Sequence, residues 1–313
     1  MAAILKRNGI VLNRLTENAW FVGDDAEQQL KEKIERIGKP LKNWDVNIYR
    51  GILTGLNEAF IIDSDKRQEI LDNCLDEDER RRTEAIIKPI LRGRDIKRYY
   101  YEWAGLWVIS TFPALHFNID DYPAIKKYLL DHFDIRQLEQ SGKKYPELGF
   151  NARKKTGNKW FETQDPIAYY PEFEKEKVAF KAVGKNLAFS IIPSGVMITA
   201  PASFMSSAHN KYILGFLCSN FTFYFILKNA DKTGAGDVML NVQSFEKIPI
   251  PTISATNQPI VLQIELLVDT ILAEKKENPK ANTIAWENEI DRLVYQLYEL
   301  TDEEIEIIEK NNT

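Results

Sequence analysis

IAYYPEFEKEKVAFKAVGKNLAFSIIPSGVMITAP, residues 167–201, decides the fold class. Its runs IAYY, KVAFKAV, LAFSIIP and VMITAP are short and β-prone, and they are broken by Pro171, by Gly184 with Asn186, and by Pro193 with Gly195. Such runs between Gly and Pro breakers predict a sheet. Downstream, the apolar residues 212–227 are closed by Lys211 and Lys228 and interrupted by Ser219, Asn220 and Thr222. That stretch falls short of the roughly 18 to 20 apolar residues of a membrane span, so it predicts one buried helix over about 210–229. A Gly-bearing loop, TGAGDV, follows, then FEKIPIPTI, whose prolines stop both helix and central strand. Three helical patterns close the chain: 258–276, 284–297, and an acidic one opened by Thr301 with Glu304 three residues on, a capping box.

Upstream, Asp24 and Asp25 precede AEQQLKEKIERIG, where Leu30, Ile34 and Ile37 recur at helical spacing before the stop at Gly38 and Pro40. NIYRGILTG and NEAFIID predict a strand, a Gly-bearing turn and a second strand. Two polar helices are expected over 66–74 and 77–86, the second ended by Pro89. LWVISTF is a buried strand, and 122–133 a helix with Ile125, Leu129 and Leu130 inward, extended by a turn or two over 134–142. The expected fold is mixed α/β (α+β): a small, mostly antiparallel or mixed sheet flanked by helices, followed by a C-terminal helical region. The expected organisation is a connector and helix over 1–48, a central domain over 49–251 and a helical region over 252–313.

With 313 residues, 44% hydrophobic and 28% charged, the composition excludes a disordered chain, a collagen and a disulfide scaffold. Cys74 and Cys218 lie far apart with no CxxC or Cys/His cluster, which fits a reducing compartment and argues against structural zinc. MAAILKRNGIVLN lacks a signal-peptide core and cleavage site, so the cytoplasm is the expected location and no membrane partner is expected. The net charge of −5 is unevenly spread, because nine acids from Glu287 onward face only Arg292 and Lys310. Two basic stripes stand out: IIKPILRGRDIKRYYYEW, with Lys88, Arg92, Arg94, Lys97 and Arg98, and NARKKTGNKW, with Arg153, Lys154, Lys155 and Lys159.

Catalytic patterns are sparse. His116, His132 and His209 have neither metal-ligand spacing nor a neighbouring nucleophile motif. TGAGD (233–237) lacks the third glycine and the GK[ST] ending of a phosphate loop, so a small nucleotide-using enzyme is the weakest reading. Asp95-Ile96-Lys97 could close a metal-dependent nuclease motif but has no clear partner carboxylate. No [DNS]PP[YFW] tetrapeptide occurs, so this chain is not expected to catalyse by itself. Binding chemistry is richer: Arg92, Arg94, Lys97 and Arg98 run into Tyr99, Tyr100, Tyr101 and Trp103, setting guanidinium forks beside aromatic faces.

Seven strings in order carry a family resemblance: GILTGLNEAFII (51–62), IKPILRGRDIKRY (87–99), LWVI (106–109), WFETQDPIAYY (160–170), YILGFLCSNFTFYF (212–225), FEKIPIP (245–251) and EIDRLVYQLYELTDEEIEII (289–308). Together they resemble the TaqI-like C-terminal specificity domain of type IIG restriction-modification enzymes and adenine-specific DNA methyltransferases. The resemblance implies a target-recognition domain for double-stranded DNA, either a C-terminal fragment or a separate specificity subunit. Its partner would be a methyltransferase domain or subunit that uses S-adenosylmethionine, with or without magnesium; no cofactor is expected in this chain. The candidate phosphate contacts are Lys88, Arg92, Arg94, Lys97, Arg98, Arg153, Lys154, Lys155 and Lys159, with Tyr99 beside them. Arg50 and Asn57 are candidates for base or backbone contact. The alternative is a non-catalytic protein-interaction module docking on a partner through its C-terminal helices.

Overall fold

The computed structural model describes residues 25–184, 187–234 and 236–310, which leaves the expected cap Asp24 and the breaker Asn186 outside the described residues. Helix α1 (Asp25–Ile37) leads to strand β1 (Asn47–Arg50) and strand β2 (Ile61–Asp63). Helices α2 (Ser64–Asp72) and α3 (Glu77–Ile86) follow, then strands β3 (Ile87–Leu91) and β4 (Leu106–Ile109) and helix α4 (Pro123–His132). Strands β5 (Lys177–Phe180), β6 (Phe189–Ile192), β7 (Met197–Ile198) and β8 (Ser203–Ser206) come next. The longer helices that end the described chain are α5 (Asn210–Leu217), α6 (Asn220–Asn229), α7 (Gln258–Glu277), α8 (Ile284–Leu297) and α9 (Asp302–Lys310), with a single helical turn, Val242–Phe245, between α6 and α7.

The expected mixed α/β architecture is present, as two four-stranded sheets with helices outside them. One sheet, ordered β6-β5-β8-β1, is antiparallel throughout; the other, ordered β7-β3-β4-β2, joins β7 to β3 in parallel and is otherwise antiparallel. Side chains alternate across a strand, and the first sheet uses both faces. Val178, Phe180 and Met205 enter a core shared with α1 and α5–α9, while Ala179 and Phe204 enter a core between the sheets. The second sheet repeats this, with Ile90 and Val108 in the inter-sheet core and Ile87 and Ile109 in a third core under α2–α4.

Local chemistry explains the element ends. Asp63 and Asp76 accept from the Lys66 and Glu79 backbone N–H groups and cap α2 and α3. Thr301 and Glu304 form the expected reciprocal capping box on α9. Gly38 ends α1 where a Cβ would come within 2.5 Å of both Pro249 and the Tyr298 hydroxyl, so only glycine lets the helix end pack there.

Five expectations are corrected. The run 210–229 is two helices, because Ser219 is extended, accepts from Thr222 N–H and donates to the Phe216 carbonyl, ending one helix and capping the next. IAYY is not a strand: Ile167 has φ of 53° and Tyr170–Glu174 is a 3-10 helix, while the unforeseen β8 completes the sheet. NEAF is a helical turn before β2, and β1 and β2 belong to different sheets. Pro89 sits inside β3, since α3 already stops at Ile86. On α4, Leu130 is exposed and Tyr128 takes the inward place beside Ile125 and Leu129.

Candidate nucleic-acid interface

Three strand ends meet at one rim. Arg50, the last residue of β1, pairs with Ser203 of β8, and Gly51 N–H donates to the Ala202 carbonyl at 2.8 Å. Ile52 and Ala200 exchange the chain onward through Ile52 N–H to Ile198 at 2.7 Å and Ala200 N–H to Ile52 at 3.0 Å. Thr199 N–H donates to the Leu91 carbonyl at 2.9 Å, which brings the end of β3, and with it Arg92–Arg94, to the same segment. Gly51 has no alternative, since a Cβ there would stand 2.6 Å from the Thr199 carbonyl carbon. The loop after it is clamped from the side: Gln164 N–H donates to the Thr54 carbonyl at 3.1 Å and Asp165 N–H to the Leu53 carbonyl at 3.2 Å.

The expected site residues separate into three fates. Arg50, Arg94, Lys154 and Lys155 are exposed, and no ion pair among the described residues closes on them. Others are partly engaged. Asn57 is exposed but its Oδ1 accepts from Thr54 Oγ1 at 2.7 Å; Lys88 lies 3.7 Å from Glu174; Lys97 reaches the Arg94 carbonyl at 2.9 Å and Glu102 at 3.6 Å; exposed Lys159 sits 5.4 Å over the Phe161 ring. Arg92 grips Asp95 with Nε at 2.9 Å and Nη2 at 2.8 Å. Burial works to raise the Asp95 carboxyl, but the Arg92 hydrogen bonds more than reverse it, and the committed carboxylate is no free metal ligand.

Two residues are turned inward and a third is held in an ion pair, which corrects the sequence reading. Arg153 is 4% exposed and donates to the carbonyls of Leu138, Thr54, Glu162 and Trp160 at 2.6–3.0 Å. Burial pulls its pKa down to about 10, and the guanidinium is a clamp for the rim loop rather than a phosphate contact. Tyr99 is 2% exposed, with φ of 68° and its N–H on the Phe189 carbonyl, so its ring belongs to the helical core. Arg98 pairs with Glu287 of α8 at 2.5 Å, and Glu287 also accepts from Thr283 Oγ1 at 2.6 Å.

A groove of about 550 Å³ runs beside the first stripe, lined by Arg94, Lys97, Arg98, Lys181, Lys275 and Glu287 among others. Sequence reasoning missed Lys181, which follows β5, and Lys275, in the last turn of α7; both sat in segments read for their structure. Lys275 is also a local brace, with Nζ 2.8 Å from the Ala281 carbonyl and 5.8 Å from the Tyr100 ring centre. Thus α7 and α8 supply Lys275 and Glu287 to the lining of this groove.

Among the described residues, no three His, Cys, Asp or Glu side chains gather to hold a metal ion, and no helix is long and apolar enough to cross a membrane. TGAGD lies between the paired strands Asp231–Lys232 and Val238–Met239, not between a strand and a helix. This is not phosphate-loop geometry.

No family model matches the chain. It is 25% identical over 312 residues to the type II methyltransferase M.BstVI of Geobacillus stearothermophilus, covering 92% of this chain and 47% of that protein. The chain is homologous to a type II methyltransferase. It spans about half of that relative's length. Among solved structures, the type IIL restriction-modification enzyme MmeI, in complex with DNA, matches with a TM-score of 0.56 and 11% identity, over 88% of this chain and 36% of that one. The type IIG restriction endonuclease BpuSI matches with a TM-score of 0.49 and 16% identity, over 87% and 32%. The MmeI likeness is one of fold.

Proposed function

We propose that this chain is the sequence-specificity module of a type II restriction-modification system, a TaqI-like target-recognition domain that grips and reads double-stranded DNA. Methylation of adenine then belongs to a partner domain or subunit that binds S-adenosylmethionine, and the system works in the cytoplasm. The observation that carries this reading is the rim where three strand ends bring Arg50 and Arg94 together, with Lys154 on the adjoining loop, all exposed and uncommitted. Phosphate contacts fix register while base-edge contacts choose sequence, and chemistry on a flipped base needs the duplex held beside the pocket. Homology to a type II methyltransferase and the fold shared with a DNA-bound restriction-modification enzyme support it.

The test is fluorescence anisotropy with a random duplex pool at two salt concentrations and a single-stranded control. Each phosphate contact adds about 0.9 to the slope of log K against log salt. Arg94→Ala with Lys154→Ala is expected to weaken duplex binding and flatten the slope by about 1.8. Absence of salt-sensitive duplex binding overturns the reading.

One observation favours a protein-docking role for another face. Leu262 and Leu266, one turn apart on α7, are 54% and 67% exposed, and Ile284 at the start of α8 is 62% exposed. Saturation of DNA binding with no effect of Leu266→Glu on capture of the methyltransferase part would remove that role.

A further inference from the structure

Beside the free cations of the rim stands an acid that none of them neutralises by contact. Asp165 is half-buried, and its carboxylate accepts no hydrogen bond and joins no ion pair among the described residues. Its position is fixed: the backbone of Gln164 and Asp165 is hydrogen-bonded to Thr54 and Leu53, and Tyr169 Oη donates to the Arg50 carbonyl at 2.8 Å. Gln164 is held the same way, its Oε1 3.2 Å from where a Cβ on Gly55 would lie, and its amide has no hydrogen-bond partner among the described residues. Gly55 has φ of 80°, so the loop passes under Gln164 in a conformation that favours glycine. Burial raises the Asp165 carboxyl from its ordinary value, and the charges of Arg50 and Lys154 work against that lift.

An acid on a DNA-binding rim repels phosphates, but it can serve as an acceptor for an exocyclic amine on a base edge. In the major groove a carboxylate accepts from cytosine N4, while a side-chain amide pairs with adenine N6 and N7. We propose that Asp165 is a specificity-determining residue that accepts from a cytosine N4 amine, with Gln164 reading the adjoining base pair and Arg50 and Lys154 on the flanking phosphates. This rests on the DNA-reading function proposed above.

Selection of bound duplexes from a random pool, run with the wild-type chain, Asp165→Ala and Asp165→Asn, tests it, with thermal unfolding of each variant alongside. The wild type is expected to enrich a site containing a cytosine for which preference falls about tenfold in both variants. Preference at the other positions, the salt slope and the melting temperature stay unchanged, because the carboxylate neither contacts phosphate nor holds the fold. Unchanged preference at every position in both variants overturns the Asp165 assignment while leaving the DNA-reading function standing. A general loss of binding and melting temperature in Asp165→Asn, with base preference kept, also overturns it by making the residue a loop support. Failure of the wild type to bind duplex DNA at all overturns both.

Discussion

Arg153 and Lys154 are adjacent in one basic stripe, yet the first is buried under carbonyls and the second faces solvent. Sequence composition could not separate them, because the burial of Arg153 depends on Thr54, 99 residues away, and on the turn of chain at 160–162. A lysine there has three donors on one nitrogen and cannot reach carbonyls on several sides. Arg153→Lys is therefore expected to destabilise the chain by about 2 to 4 kcal/mol, read from urea unfolding. DNA affinity should fall through the misplaced loop at 53–57, with the salt slope of the folded fraction unchanged. Asp291 makes a second residue-scale case. Burial pushes its carboxyl up to about 6, although it accepts from the Asn220 N–H at 2.7 Å and lies near Arg98. Unfolded, the same group titrates near about 3.9. The folded state thus binds the proton more tightly, and this residue's contribution to stability falls as pH rises from about 4 to about 6. Asp291→Asn keeps the acceptor for Asn220 and is expected to remove that fall, gaining on the order of 1 to 3 kcal/mol at pH 7. An unchanged pH–stability curve would place the effect elsewhere.

Helices were the most legible elements, since α1 combines apolar spacing with a stop at Gly38 and α9 opens on a capping box. The break between α5 and α6 was written in the sequence as Ser219 and Thr222, both of which bond the Phe216 carbonyl, but an apolar run of that length outweighed two hydroxyls. Strands of two to four residues were less legible, because pairing partners far along the chain decide them; β8 becomes a strand between β5 and β1. The contact between α5 and α7 depends on Gly215, where a Cβ would approach Ile264 to 2.7 Å and Val268 to 2.9 Å. Gly215→Ala is expected to cost about 1 to 3 kcal/mol by overpacking, despite the better helix propensity of alanine. Gly157→Ala, where a Cβ meets nothing within 4 Å, serves as the control in the same unfolding series.

At the level of the whole molecule, the mixed α/β class and the helical C-terminal region were readable from pattern alone, and the layering was not. Which strand joins which sheet is set by connections such as β1 to β8, more than 150 residues apart, and periodicity holds no record of them. The candidate site was half legible for the same reason: charge marked the stripes, while Lys181, Lys275 and Asp165 acquire their setting only when distant segments meet. The Arg98–Glu287 pair then ties the first basic stripe to α8. Closure of the helical core has a further consequence. Its residues include Leu30 on α1 and Ile308 on α9, and Lys33 meets Glu304 at 2.6 Å across 271 positions of chain. At about 5 to 20 residues per second, a ribosome needs on the order of 15 to 55 seconds to pass from one of these partners to the other. Throughout that interval α1 has an apolar face and no α9 to cover it, so the newborn chain presents the kind of surface that chaperones shield.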